Sequence, residues 1–256
     1  MIASGTIVRL PQPEHPANRP VKSPLVSPRS ALALALVLAG CGGTASEARQ
    51  ASRADAAPVV ATLADPASPG ADRLRAGDLA GARAAFEAAL GADPDRLSAL
   101  NDLAVSYVLD GHGDAARRLL DEVVSQGTPT EQQAALVNLG ELYSGEGYLS
   151  AAGAYLETAR SIDPQRPEPI YAVALLADVR GDLGAARSAV REALRRDEGG
   201  AARAALAYVY PEERVHLEAL VAEATGDPAA GERWRDLSAG RFAALTTVAE
   251  RHLAGE

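Results

Sequence analysis

Thiols, imidazoles, amines and carboxylates carry most side-chain chemistry, and this chain of 256 residues holds them unevenly. Its one cysteine, Cys41, ends an apolar run in the stretch ALALALVLAGCGG, Ala31 to Gly43. A lone thiol forms no intramolecular disulfide and no thiolate metal site by itself. It can still be a nucleophile that takes a modification. Lys22 is the only lysine, so Schiff-base and lysine general-base chemistry have no residue beyond it. Past Cys41 the histidines, His112, His216 and His252, are scattered, and His112 reads as a solvated turn residue beside Asp110 and Asp114. Asp93-Pro94-Asp95 lacks the glycine and distal glutamate of a calcium loop and reads as a helix end. Arg187, Arg191 and Arg195, at i, i+4 and i+8, share one helical face and read as a solvated outer stripe. There is no His-Glu-x-x-His, P-loop, Gly-x-Ser-x-Gly or Ser-x-x-Lys motif. The expectation is a protein without catalytic residues, metal, cofactor or small-molecule substrate.

The elements that position these residues are helical. Apolar residues make up 47 % of the chain but aromatics only 4 %. Alanine and leucine with abundant Arg and Glu favour helix, and β-branched runs of strand length are nearly absent, which predicts an all-α fold. The formal charge is −9. Four basic residues and one acidic residue precede Cys41, so the remainder is more acidic still. That balance argues against nucleic acid, whose phosphates call for surplus cations, and against a polybasic membrane patch.

Residues 1–30 are rich in Pro, Ser and Arg and have no helical or strand period. The apolar run Ala31–Ala39 has the length of a signal-peptide core and falls short of the roughly 20 residues that span a bilayer. With its basic flank, Leu38-Ala39-Gly40-Cys41 resembles the lipobox of bacterial lipoproteins. The resemblance implies a signal peptide over 1–40, diacylglycerol on Cys41, cleavage before it and acylation of the new amino terminus. Several acyl chains together hold a protein stably on a membrane, where one is marginal. Translation from Val21 or Val26 would leave a signal peptide of more usual length. Gly42, where Asp would retain an enteric-type lipoprotein in the inner membrane, implies the outer membrane, facing the periplasm. Residues 41–70, rich in Ala, Ser and Pro, read as a flexible tether. The competing reading is a soluble repeat protein whose amino terminus mimics a lipobox.

Beyond the tether the chain repeats itself. Gly77, Gly111, Gly147 and Gly181 follow one another at intervals of 34, 36 and 34 residues. Five residues past each stands alanine: Ala82, Ala116, Ala152 and Ala186. Nine past stands a large apolar residue (Phe86, Leu120, Leu156, Val190), and twelve past come Ala89, Val123, Ala159 and Ala193. The preceding half-repeats also match: Leu100, Leu103, Ala104 and Tyr107 with Leu136, Leu139, Gly140 and Tyr143, then Ile170, Val173, Ala174 and Ala177. Pro94 and Pro164 end two repeats. This pattern resembles the tetratricopeptide repeat (TPR) family over about 63–198. It implies a solenoid of helix hairpins with about four repeats over 71–198, small residues where helices nest and glycine at each turn. In the first repeat Pro66, Pro69 and Gly70 leave only Ala71–Ala76 as a remnant first helix. Residues 199–256 read as a degenerate repeat and cap, with helices over 201–208, 212–225, 229–238 and 240–253, packed by Trp234, Leu237, Phe242 and Leu245.

The family binds ligands in the concave groove lined by the first helix of each repeat. Its lining positions fall here on Asn101, Val105 and Val108, on Val137, Glu141 and Ser144, and on Glu168, Tyr171, Leu175 and Asp178. The strip is apolar and flanked by carboxylates, without the cations that clamp a carboxy-terminal peptide. It suits an extended or helical segment with apolar anchors and a basic rim. The two resemblances together imply a lipid-anchored scaffold that binds another envelope protein, as lipoproteins of this type do when they assist secretin, pilus or outer-membrane-protein assembly. The alternative is a docking regulator of an envelope enzyme such as a peptidoglycan hydrolase.

Overall fold

The computed structural model describes residues 60–208 and 210–255. The signal-peptide core, Cys41 and the first part of the tether lie outside the described residues. Twelve helices and two short strands are described. In chain order they are β1 (Ala61–Thr62), α1 (Pro69–Arg75), α2 (Leu79–Ala92), α3 (Leu97–Leu109), α4 (Gly113–Gln126), α5 (Pro129–Gly145) and α6 (Leu149–Ile162). There follow α7 (Glu168–Val179), α8 (Leu183–Arg196), α9 (Ala201–Ala205), β2 (Leu206–Ala207), α10 (Pro211–Thr225), α11 (Ala230–Ser238) and α12 (Ala243–Ala254). No described helix is long and apolar enough to cross a membrane.

Helices α1–α8 form four hairpins, each packed on the next, so that α3, α5 and α7 lie side by side. The turns are built alike. Gly77, Gly111, Gly147, Gly181 and, in the degenerate repeat, Gly226 adopt φ between 73° and 83°, a conformation that costs glycine least. Each turn then closes a Schellman motif: Gly111 N–H donates to Val108 and His112 N–H to Tyr107, and the same pair of bonds recurs at Gly147 and Gly181. At Asp78 and Asp182 the residue after the glycine also caps the next helix, accepting from Gly81 and Ala185. Helix α5 instead starts with a full capping box of Thr128 and Glu131.

The periodic residues sit where the hairpins nest. Ala82, Ala116, Ala152 and Ala186 are fully buried, and so are Leu120, Leu156 and Val190 beside them. At the third hairpin the fit is close: a Cβ added to Gly140 would meet Leu156 Cδ2 at 2.5 Å. The cap is packed by Trp234, Leu237, Phe242 and Leu245, all at most 3 % exposed.

Two stretches differ from the sequence reading. Pro69 and Gly70 do not interrupt α1 but open it. Pro69 stands in the first turn, where its missing N–H costs nothing, behind the Ser68 cap. Gly70 leaves room for the Phe86 ring, which a Cβ would strike at 2.3 Å. The helix expected over 201–208 stops at Ala205, and Leu206–Ala207 pairs antiparallel with Ala61–Thr62. Residues 60–63, within the stretch read as tether, are therefore buried in the folded body.

Candidate functional site

The ten groove positions fall on α3, α5 and α7 at one register: ten, six and three residues before the turn glycine, with Glu168 near the start of α7. Val108 and Glu168 are half-buried, and Glu168 pairs with Arg166 at 2.7 Å. The other eight, Asn101, Val105, Val137, Glu141, Ser144, Tyr171, Leu175 and Asp178, are buried. Parts of the same chain cover them.

Over α3 and α5 the cover is β1 with the residues that follow it. Asn138 on α5 grips the main chain of Thr62 at both ends: its Oδ1 accepts from Thr62 N–H at 2.7 Å and its Nδ2 donates to Thr62 C=O at 2.9 Å. Asn101 Nδ2 donates to the same carbonyl at 3.1 Å, and Asn138 Nδ2 also donates to Asn101 Oδ1. At the next residue of α3, Asp102 accepts from Ala64 N–H at 2.7 Å and from Asp65 N–H at 3.2 Å. Burial pushes the Asp102 carboxyl up to about 6, although bonds from Asn101, Ala64 and Asp65 favour its charged form. Ala61 and Leu63 point the other way, into an apolar cluster with Val105, Ala71 and Ala207.

Over α7 the cover comes from the carboxy-terminal helices. Tyr171 donates its hydroxyl to Asp197, and that carboxylate also accepts from the backbone of Ala202 and Arg203, which fixes the start of α9. Burial, with the Asp197 charge beside it, pushes the Tyr171 phenol well above its usual range. Asp178 takes a histidine on each oxygen: His216 of α10 at 2.7 Å and His252 of α12 at 2.8 Å. Burial works to raise Asp178, but the bonds and charges of the two imidazoles outweigh it and hold the carboxyl at about 2. An ionised carboxylate only accepts, so both Nε2 atoms carry hydrogen. On its far side His252 has Glu223 Oε2 at 2.7 Å from Nδ1, and Trp234 stacks on its ring at 3.9 Å. The side chains of Asp178, His216 and His252 are sealed from solvent, and the cluster ties α7, α10, α11 and α12 together.

Sequence reading missed this cluster because the histidines lie 36 residues apart in a stretch where the repeat is degenerate. The signal was in the register. His216, Leu220 and Glu223 stand ten, six and three residues before Gly226, as Tyr171, Leu175 and Asp178 stand before Gly181. The concave line thus continues onto α10. Of the other singled-out residues, His112 is exposed beside Asp110, Arg191 and Arg195 are exposed, and Arg187 reaches the edge of the cluster, pairing with Glu223 at 2.7 Å. Asp93 accepts from Asp95 N–H in a turn.

Residues 73–140 and 134–166 match profiles of the tetratricopeptide repeat. No protein of curated function matches the sequence. Among solved structures, the chain is similar to MamA at 20 % identity, covering 73 % of this chain and 97 % of that one with a TM-score of 0.40. It is similar to PilW, described as a widely conserved type IV pilus biogenesis factor, at 22 % identity, covering 70 % and 94 % with a TM-score of 0.31. The profiles and the hairpin packing make residues 73–166 tetratricopeptide repeats within an all-α solenoid. Such a solenoid is a scaffold for protein–protein interaction.

Proposed function

We propose that the protein is a lipid-anchored scaffold of the bacterial cell envelope, held through Cys41 in the outer membrane and facing the periplasm. It binds a segment of another envelope protein in its concave groove and aids assembly of a secretion, pilus or outer-membrane complex. The observation that carries this reading is the composition of the concave face. Asn101, Asp102 and Asn138 are buried there and address main-chain groups of an extended segment. The lipobox supports the anchor, and no more than about 65 Å of extended chain separates Cys41 from Val60.

The test is photo-crosslinking in the bacterial envelope from half-buried Val108 and Glu168 at the groove rim, against exposed Arg191 on α8. A partner that crosslinks from the rim positions and not from Arg191 is expected; the reverse pattern refutes the groove. Cys41→Ser should move the protein from the membrane fraction to the soluble fraction. Unchanged membrane association would refute the anchor.

A further inference from the structure

A cavity that only needed filling would be lined with apolar side chains, because each polar group buried without a partner costs free energy. The concave face of α3 and α5 is built otherwise. Its buried amides and carboxylate spend their hydrogen bonds on the backbone of residues 62, 64 and 65. The grip of Asn138 on one N–H and one C=O can be satisfied by any residue except proline. Pairing with Leu206–Ala207 likewise reads backbone rather than side chain.

The resident segment fits this site well by its main chain and poorly by one side chain. Thr62 Oγ1 and Gln133 Oε1 are both buried without a hydrogen-bond partner. Both residues meet at one tight contact whose wall also includes Val137, Arg166 and Glu168, with no room for a water molecule. The resident threonine hydroxyl thus leaves the Gln133 acceptor unmet.

Resting on the groove reading above, we infer that Val60–Asp65 is a ligand held in cis and that the partner replaces it. The replacing segment is extended and apolar at the Ala61 and Leu63 positions. Replacement frees the residues before α1, adding about eight residues, or roughly 25 Å, to the reach of the chain that leads back to Cys41.

The test uses the full chain with Cys41→Ser and the pair Ala61→Cys and Ala207→Cys. These two positions are partners in the strand ladder, where Cα atoms lie close enough for a disulfide. The probe is a fluorescein-labelled peptide of residues 57–68, followed by anisotropy. The reduced chain should bind it weakly, because the resident segment competes at an effective concentration in the millimolar range. The oxidised chain should bind at least about tenfold more weakly still, and Leu63→Asp, which evicts the resident, should tighten binding about tenfold. Equal binding to oxidised and reduced chains overturns the inference, as does no binding even to Leu63→Asp, which would make the segment a fixed part of the core. The groove reading is judged separately: an oxidised chain that loses its crosslinked partner while Leu63→Asp refuses the peptide keeps the groove and discards replacement by an extended segment.

Discussion

Asp102 and Asp178 are both buried carboxylates, and they shift in opposite directions because burial prevails at the first and two imidazole partners prevail at the second. Asp178 is flanked by two imidazoles, so its contribution to stability is present above about pH 4 and lost as the pH falls toward 2. At Asp102 burial outweighs the bonds from Asn101, Ala64 and Asp65 and, with the nearby Asp65 charge, raises the carboxyl to about 6. A carboxylic acid with a higher pKa folded than unfolded holds its proton more tightly when folded. Its contribution is full below about pH 4 and lost as the pH rises through 6, a change of about 3 kcal/mol. Urea denaturation of the native chain and Asp102→Asn should show this directly. The stability difference between them should swing by about that amount, against the native chain, from pH 4 to pH 7. Parallel pH profiles would contradict the assignment.

At the scale of elements, hairpins are held by nesting inside and by clasps at their turns. Arg83 lies over Tyr107 and bonds Asp110 of the next turn, and Arg117 one repeat later lies over Tyr143 and bonds Glu146. At the third hairpin the arginine position is Gly153, and Arg180 of the following turn folds back over it to bond the Leu149 carbonyl. Nesting makes a sharper prediction. Gly140→Ala forces a Cβ into Leu156 and should cost about 1–3 kcal/mol. In the same helix Gly145 has open space around it, so Gly145→Ala should be neutral or stabilising by about 0.5 kcal/mol. Thermal melts of the two variants should move apart; melts that move together would sink the nesting account. These contacts were legible in the sequence because glycine, alanine and the large apolar residue recur within a single hairpin. The strands were not. Two residues show no alternation, and β1 is held by Asn138, 76 residues away, which no local pattern announces. Pro69 and Gly70 misled for a related reason, since what fits Gly70 is the Phe86 ring on another helix.

At the scale of the whole described body, the chain covers its own concave face. Residues 60–65 lie over α3 and α5, and α9, α10 and α12 contact α7. The ten positions named from the register lie on α3, α5 and α7, but their burial was invisible in the sequence, because the covering elements come from outside the regular repeats. The proposed replacement moves one cover, and the amide-held segment of residues 60–65 is the one whose main-chain contacts another polypeptide can reproduce. The most direct measurement is the partner crosslink yield from Val108 in the chain carrying Ala61→Cys and Ala207→Cys, compared before and after reduction. The account predicts that the oxidised, locked chain loses the crosslink and that reduction restores it. An equal yield in both states would show that the partner does not enter the groove by displacing this segment.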